Sequence, residues 1–123
     1  MLKHKLLLPE GIMIIEPDKP LAVADFEAMT QEIDPYIVKH GMLPGLLIHV
    51  KAFPGWANFK AFYKHMGLIE HYHQKLQRLA IVTDSRFLAE LPKFAGPLVH
   101  TEIKHFPQSQ YDEALRWLER KPL

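Results

Sequence analysis

The chain has 123 residues, of which 48% are hydrophobic and 24% are charged, the size and composition of one globular domain rather than of a disordered, fibrous or membrane protein. It contains no cysteine, which excludes disulfides, thiolate zinc sites and cysteine nucleophiles. A formal net charge of +1 gives no basic field of the kind that attracts nucleic acid. We therefore expect one cytoplasmic domain over residues 1–123, with no nucleic-acid partner and no integral membrane association.

The N-terminal part of the chain predicts a hairpin followed by a helix. Apolar strands are predicted at Lys5–Leu8 and Ile12–Glu16, and Pro9-Glu10-Gly11 between them is a turn signal. The following helix has apolar residues at spacings of three and four, ends at Gly41, and is expected to kink or restart at Asp34-Pro35. Its apolar stripe consists of Val23, Phe26, Met29, Ile33 and Ile37.

Two continuous apolar runs in the middle of the chain, Gly45–Val50 and Leu79–Thr83, are typical of strands buried on both faces of a parallel sheet. A helix from roughly Asn58 to His73 is predicted between them. A third helix is predicted to start at Asp84-Ser85 and to run through Phe87, Leu88 and Leu91, with its length limited by Pro92 and by Gly96-Pro97. Strands and helices thus alternate, which favours right-handed crossovers and a mostly parallel sheet.

The C-terminal part predicts an edge strand and a last helix. Residues Val99–Phe106 alternate between apolar and polar, which suits the edge of a sheet. Ser109 and Asp112 resemble a capping box for a helix that runs towards Arg120 and Lys121. The element order is β-β-α-β-α-β-α-β-α, an α/β fold with an open, mostly parallel sheet of about five strands and an antiparallel N-terminal edge strand.

Several segments, taken in this order, resemble the SpoIIAA-like family of small bacterial proteins. They are Gly45-Leu46-Leu47-Ile48, the Phe53-Pro54-Gly55-Trp56 loop, the strand from Leu79 to Asp84, and the terminal Ala114-Leu115-Arg116-Trp117-Leu118. The family is similar in fold to STAS domains and to the lipid-binding half of CRAL-TRIO proteins. The resemblance implies about four helices largely on one face of the sheet, with an apolar pocket between helices and sheet.

One departure from the STAS pattern affects the expected function. STAS anti-anti-sigma proteins carry a phosphorylatable serine or threonine, usually after an aspartate, at the start of the helix that follows the third strand. The matching segment here, Lys51 to Asn58, has no hydroxyl side chain. Asp84-Ser85 follows the fourth strand instead, so its position does not match the switch.

The loop from Phe53 to Phe59 is the strongest candidate site. It follows the carboxyl end of a central strand, where open α/β sheets bind ligands, and it places aromatic side chains around a flexible glycine. The candidate ligand-binding residues are Phe53, Gly55, Trp56, Phe59 and Tyr63. The alternative is that Pro54-Gly55 is only a turn and that Trp56 packs onto the core as a lid, and both can hold together.

The other polar candidates favour structural roles. Asp84 and Ser85 could bind an anion at a helix N-terminus, but such a pair is more often an N-cap. His65, His71 and His73 lack the i, i+4 spacing of a helical metal site, and no motif indicates a metal or a cofactor. His49 lies inside an apolar strand and, if buried, needs partners for its ring nitrogens.

These features predict a non-catalytic binding or regulatory module. It would bind a small apolar or amphipathic, lipid-like ligand, or a protein partner, near the loop from Phe53 to Trp56. The alternative is a STAS-type partner-switching regulator that acts by protein contacts, and the least favoured hypothesis is a hydrolase that uses Asp84, Ser85 and a histidine. A homodimer is also expected, because helices gathered on one face would leave the other face of the sheet uncovered.

Overall fold

The structure, a computed structural model, describes residues 2–90 and 100–120. The strands are β1 (Lys3–Leu7), β2 (Ile12–Glu16), β3 (Leu43–His49), β4 (Leu76–Val82) and β5 (Glu102–Phe106). The helices are α1 (Val23–His40), α2 (Phe59–Tyr72), α3 (Arg86–Ala89) and α4 (Tyr111–Glu119), with a 3-10 turn at Gln108–Gln110. The predictions made on Leu91, Pro92, Gly96-Pro97, Val99 and Lys121 lie outside the described residues.

The five strands form one sheet in the order β1-β2-β3-β4-β5. β1 pairs antiparallel with β2, and the three other pairings are parallel. This confirms the predicted α/β fold, including the antiparallel N-terminal edge strand and the position of β5 at the opposite edge. No helix in the described part of the chain is long and apolar enough to cross a membrane.

The turn between β1 and β2 depends on Gly11. Its φ is +76°, in the left-handed region that favours glycine. A Cβ at this position would overlap the Tyr36 hydroxyl and would lie 2.9 Å from Cδ of Pro44. The Gly11 amide also donates to the Leu7 carbonyl at 2.8 Å, which closes the hairpin. The turn therefore brings β1 and β2 against α1 with no room for a side chain.

Helices cover both faces of the sheet. α4 packs on one face through Ala114 and Leu118, which contact buried residues of four strands, including Ile12, Leu47 and Val82. α1 packs on the opposite face through Ile33 and Ile37, and α2 and α3 lie on that same side. Three of the four helices thus share one face, as predicted. In the described part of the chain α4 packs on the second face, which removes the reason given for a homodimer, and the homodimer itself stays a prediction.

Several local predictions differ from the structure, including the start of β3 at Leu43 instead of Gly45. α1 runs through Pro35 as one helix, because Ile33 and Ile37 on either side of it are both buried against the sheet and this packing outweighs the lost backbone hydrogen bond. β4 begins at Leu76, three residues earlier than predicted. The capping box at Ser109 is wrong: Ser109 lies in the 3-10 turn, and the N-cap of α4 is Gln110 without a side-chain cap.

Candidate functional site

An apolar cavity of about 350 Å³ lies between the sheet and the pair α1 and α2. The sheet contributes Leu46, Ile48 and Leu79 to its lining, and the helices contribute Met29 and Leu68. The cavity exists because α2 does not pack down on the sheet: of its 14 residues only Ala61 is buried. An apolar volume of this size is large enough to hold a small ligand.

The loop after β3 closes one end of this cavity. The Leu21 amide donates to the Gly55 carbonyl and the Ala57 amide donates to the Leu21 carbonyl, both at 2.8 Å. These two bonds tie the loop to the segment that links β2 to α1. Gly55 has a φ of +82°, so the turn itself requires glycine. Phe53 and Pro54 line the cavity, which places the predicted loop at the candidate site.

Trp56 anchors this loop and does not line the cavity. Its ring packs edge-on against Phe53 and Phe62, with 4.8 Å between ring centroids in each pair. Its indole N–H donates to Nδ1 of His65 at 3.0 Å. This is the geometry of a lid that packs onto the core, the alternative left open by the sequence.

His65 is the residue at this site whose role the sequence did not reveal. Its ring stacks on Phe26, with centroids 5.0 Å apart, and it lines the cavity. Burial lowers the pKa of His65, because desolvation disfavours the imidazolium. The neutral ring accepts the Trp56 proton at Nδ1 and so carries its own proton on Nε2. The available signal was its spacing from Ala61 and Leu68, which puts it on the inner face of α2.

Two of the predicted ligand-binding residues lie elsewhere on α2. Phe59 is 69% exposed and Tyr63 is 65% exposed, and neither lines the cavity. With Met66, which is 37% exposed, they form an outward apolar stripe on the helix, while Ile69 is 39% exposed and also lines the cavity. Of the predicted aromatic residues, Phe53 therefore lines the cavity and Trp56 packs as a lid. Phe59 and Tyr63 lie on the outer surface of α2.

A second, polar cavity of about 530 Å³ lies at the carboxyl edge of β2 and β3. His49 lines it, with Nδ1 3.2 Å from Oε2 of Glu16 and Nε2 2.8 Å from Oε1 of Gln108. These are the partners that a histidine in an apolar strand requires. The Tyr111 ring packs 5.0 Å from the His49 ring, and burial, followed by the charges of Glu16 and Asp112, raises the pKa of the Tyr111 phenol.

Asp84 and Ser85 take structural positions. The Ser85 hydroxyl accepts the Leu88 amide at 3.3 Å, as an N-cap of the four-residue α3. The Asp84 carboxylate accepts the Gln108 amide at 3.0 Å and joins this loop to the turn before α4. Within residues 2–90 and 100–120, no group of three His, Cys, Asp or Glu side chains is placed to hold a metal ion.

The comparisons with known proteins agree with this architecture. The family description "SpoIIAA-like" matches residues 12–119, nearly the whole chain. The chain belongs to the SpoIIAA-like family. No curated protein matches it. Among solved structures, this SpoIIAA-like protein is similar to an uncharacterised protein of the DUF3478 family, with a SpoIIAA-like fold, from Shewanella loihica PV-4. Identity is 19%, the TM-score is 0.72, and the match covers 96% of this chain and 92% of the other, which establishes a shared fold and nothing about function.

Proposed function

We propose that this SpoIIAA-like protein is a non-catalytic binding module that holds a small apolar or amphipathic ligand between α1, α2 and the sheet. The apolar cavity of about 350 Å³ is the observation that carries the proposal. A dry cavity of about 150 Å³ accommodates benzene. By that scale the cavity described here has room for roughly twelve to fourteen non-hydrogen atoms.

The lining of the cavity supports an apolar ligand. Most lining side chains, such as Leu46, Ile48 and Leu68, offer neither donors nor acceptors, and Nδ1 of His65 is already engaged by Trp56, which leaves the Nε2 proton of His65 as a donor. Burial of an apolar ligand surface contributes about 25 cal/mol per Å². Affinity would therefore follow the apolar area of the ligand rather than hydrogen bonding inside the cavity.

A neutral fluorescent probe, N-phenyl-1-naphthylamine, tests the proposal directly, because its naphthalene group fits the cavity and its phenyl group can extend through the open side. We expect saturable binding with one probe per chain. Leu68→Trp should weaken binding by about tenfold or more, because the larger indole fills the cavity from α2. Tyr63→Trp, on the outer side of the same helix, is the matched control and should change the affinity by less than about twofold.

Two outcomes would contradict the proposal. One is the absence of saturable binding to the wild-type chain. The other is equal binding by the Leu68→Trp chain while its circular dichroism and melting temperature match those of Tyr63→Trp. A Leu68→Trp chain that does not fold is replaced by Leu46→Phe, which enters the cavity from β3.

A further inference from the structure

The polar cavity and the apolar cavity are neighbours that share part of their lining. Four residues line both of them: Pro17, Val50, Phe53 and Pro54. They belong to the two segments that the hydrogen bonds between Leu21 and the loop hold together. Phe53 is partly exposed and lines both cavities, so its side chain stands between them.

The polar cavity also carries two ammonium groups that form no ion pair within the described part of the chain. Lys3 and Lys51 line it, and neither forms an ion pair among the described residues. The Lys51 carbonyl accepts the hydroxyl of Thr83 at 3.3 Å, and Thr83 is fully buried. The backbone of Lys51 is therefore anchored at the rim while its ammonium group is free to reach a ligand.

Two carboxylates limit the charge of that ligand. Glu16 and Asp18 also line the polar cavity, although Glu16 is paired with His49. A dianionic phosphate monoester would face both carboxylates at short range, whereas a single negative charge meets two ammonium groups and less repulsion. The charges in the polar cavity therefore favour a ligand with a single carboxylate group.

We propose that the polar cavity is the head-group site for a monocarboxylate amphipath, with Lys51 contacting the carboxylate and the acyl chain extending past Phe53 into the apolar cavity. This inference rests on the proposed function, because it needs the apolar cavity to hold the chain. Lys75 offers a competing location, since it lines the opposite end of the apolar cavity, directly before β4.

The test compares dodecanoate with dodecan-1-ol, which have the same chain length and differ in charge, as competitors of bound N-phenyl-1-naphthylamine at neutral pH. The wild-type chain should bind dodecanoate about two- to fivefold more tightly than the alcohol, the range expected for one partly solvated ion pair. Lys51→Met should remove most of this preference, because only Lys3 then remains in the polar cavity, and should leave the affinity for the alcohol unchanged. Lys75→Met is the matched control and should retain the preference.

The outcomes separate the head-group site from the apolar site. If the alcohol binds as tightly as the acid, or if Lys75→Met rather than Lys51→Met abolishes the preference, the head-group assignment is overturned while the apolar site stands. If the neutral probe binds and neither competitor displaces it, an amphipath of this length is excluded. If the probe itself does not bind, the proposed function fails first.

Discussion

At the scale of single residues, the hydrogen bond between Trp56 and His65 connects the loop after β3 to α2 at the wall of the apolar cavity. The hydrogen bond needs an unprotonated Nδ1 on His65, because the indole N–H can only donate. Protonation would place two donors against each other and a charge against the Phe26 ring in an apolar surrounding. The stability of the loop is therefore tied to the neutral state of one histidine.

We expect acid to destabilise the folded chain through His65. Its pKa is lowered in the folded protein by burial, so that the unfolded chain binds more protons as the pH falls below the ordinary value of about 6.5. The contribution of His65 is therefore favourable above that value and is lost as the pH drops towards the folded pKa. His65→Asn keeps an acceptor and removes the titration.

The measurement is urea unfolding of both chains at several pH values between 7.5 and 5. At pH 7.5 the variant should be less stable by about 1–2 kcal/mol, because the smaller side chain leaves a void. The difference in the free energy of unfolding between the two chains should narrow as the pH falls. The other histidines are present in both chains, so their effects cancel in the comparison. A difference that stays constant across the range would show that His65 titrates normally in the folded state.

At the scale of elements, tertiary packing holds α2 less firmly than α1. Only Ala61 of α2 is buried, whereas α1 buries Phe26, Ile33 and Ile37. The outer side of α2 leaves Phe59 and Tyr63 largely exposed. A helix with one buried residue belongs to the low-stability end of a fold.

Hydrogen exchange should therefore show that α2 opens locally. We expect its amides to exchange about tenfold or more faster than those of α1, because opening α2 exposes little apolar surface. Binding of N-phenyl-1-naphthylamine should slow exchange in α2 more than in α4, which lies on the other face of the sheet. Protection of α2 equal to that of β3 and β4 would contradict this picture and would indicate a cavity that stays closed.

At the scale of the whole molecule, stability depends on α4 covering the second face of the sheet. Leu118 is 3% exposed and Ala114 is fully buried, in a cluster with residues of β2, β3, β4 and β5. Arg78 adds a polar link: its guanidinium donates to the carbonyls of Trp117 and Arg120 at 2.6 and 3.0 Å. α4 thus joins strands that are distant along the chain.

Leu118→Ala should lower the free energy of unfolding by about 2–4 kcal/mol, the usual cost of removing a buried leucine. Leu115→Ala, on the same helix but only partly buried against the cluster, should cost about 1 kcal/mol or less. Chemical unfolding followed by circular dichroism gives both values. Equal costs at the two positions would mean that α4 does not close this face in solution.

The local sequence patterns were sufficient to predict the fold. The apolar runs of β3 and β4 and the stripe of α1 predicted the element order, because burial on one or both faces imposes a period on the sequence. The capping prediction at Ser109 failed because a short polar motif says nothing about the turn that precedes it. The continuous helix through Pro35 was missed because packing on the sheet, and not local propensity, decides its course.

The sequence by itself determined the family, the strand and helix order and the importance of the loop from Phe53 to Trp56. Only the tertiary structure decided that Trp56 is a lid on His65, that Phe59 and Tyr63 face outward, and that α4 lies on the second face. These features depend on how far α2 stands from the sheet, and on which residues distant in sequence meet. Periodicity along one segment carries no information about either, because a cavity is a property of several elements packed together.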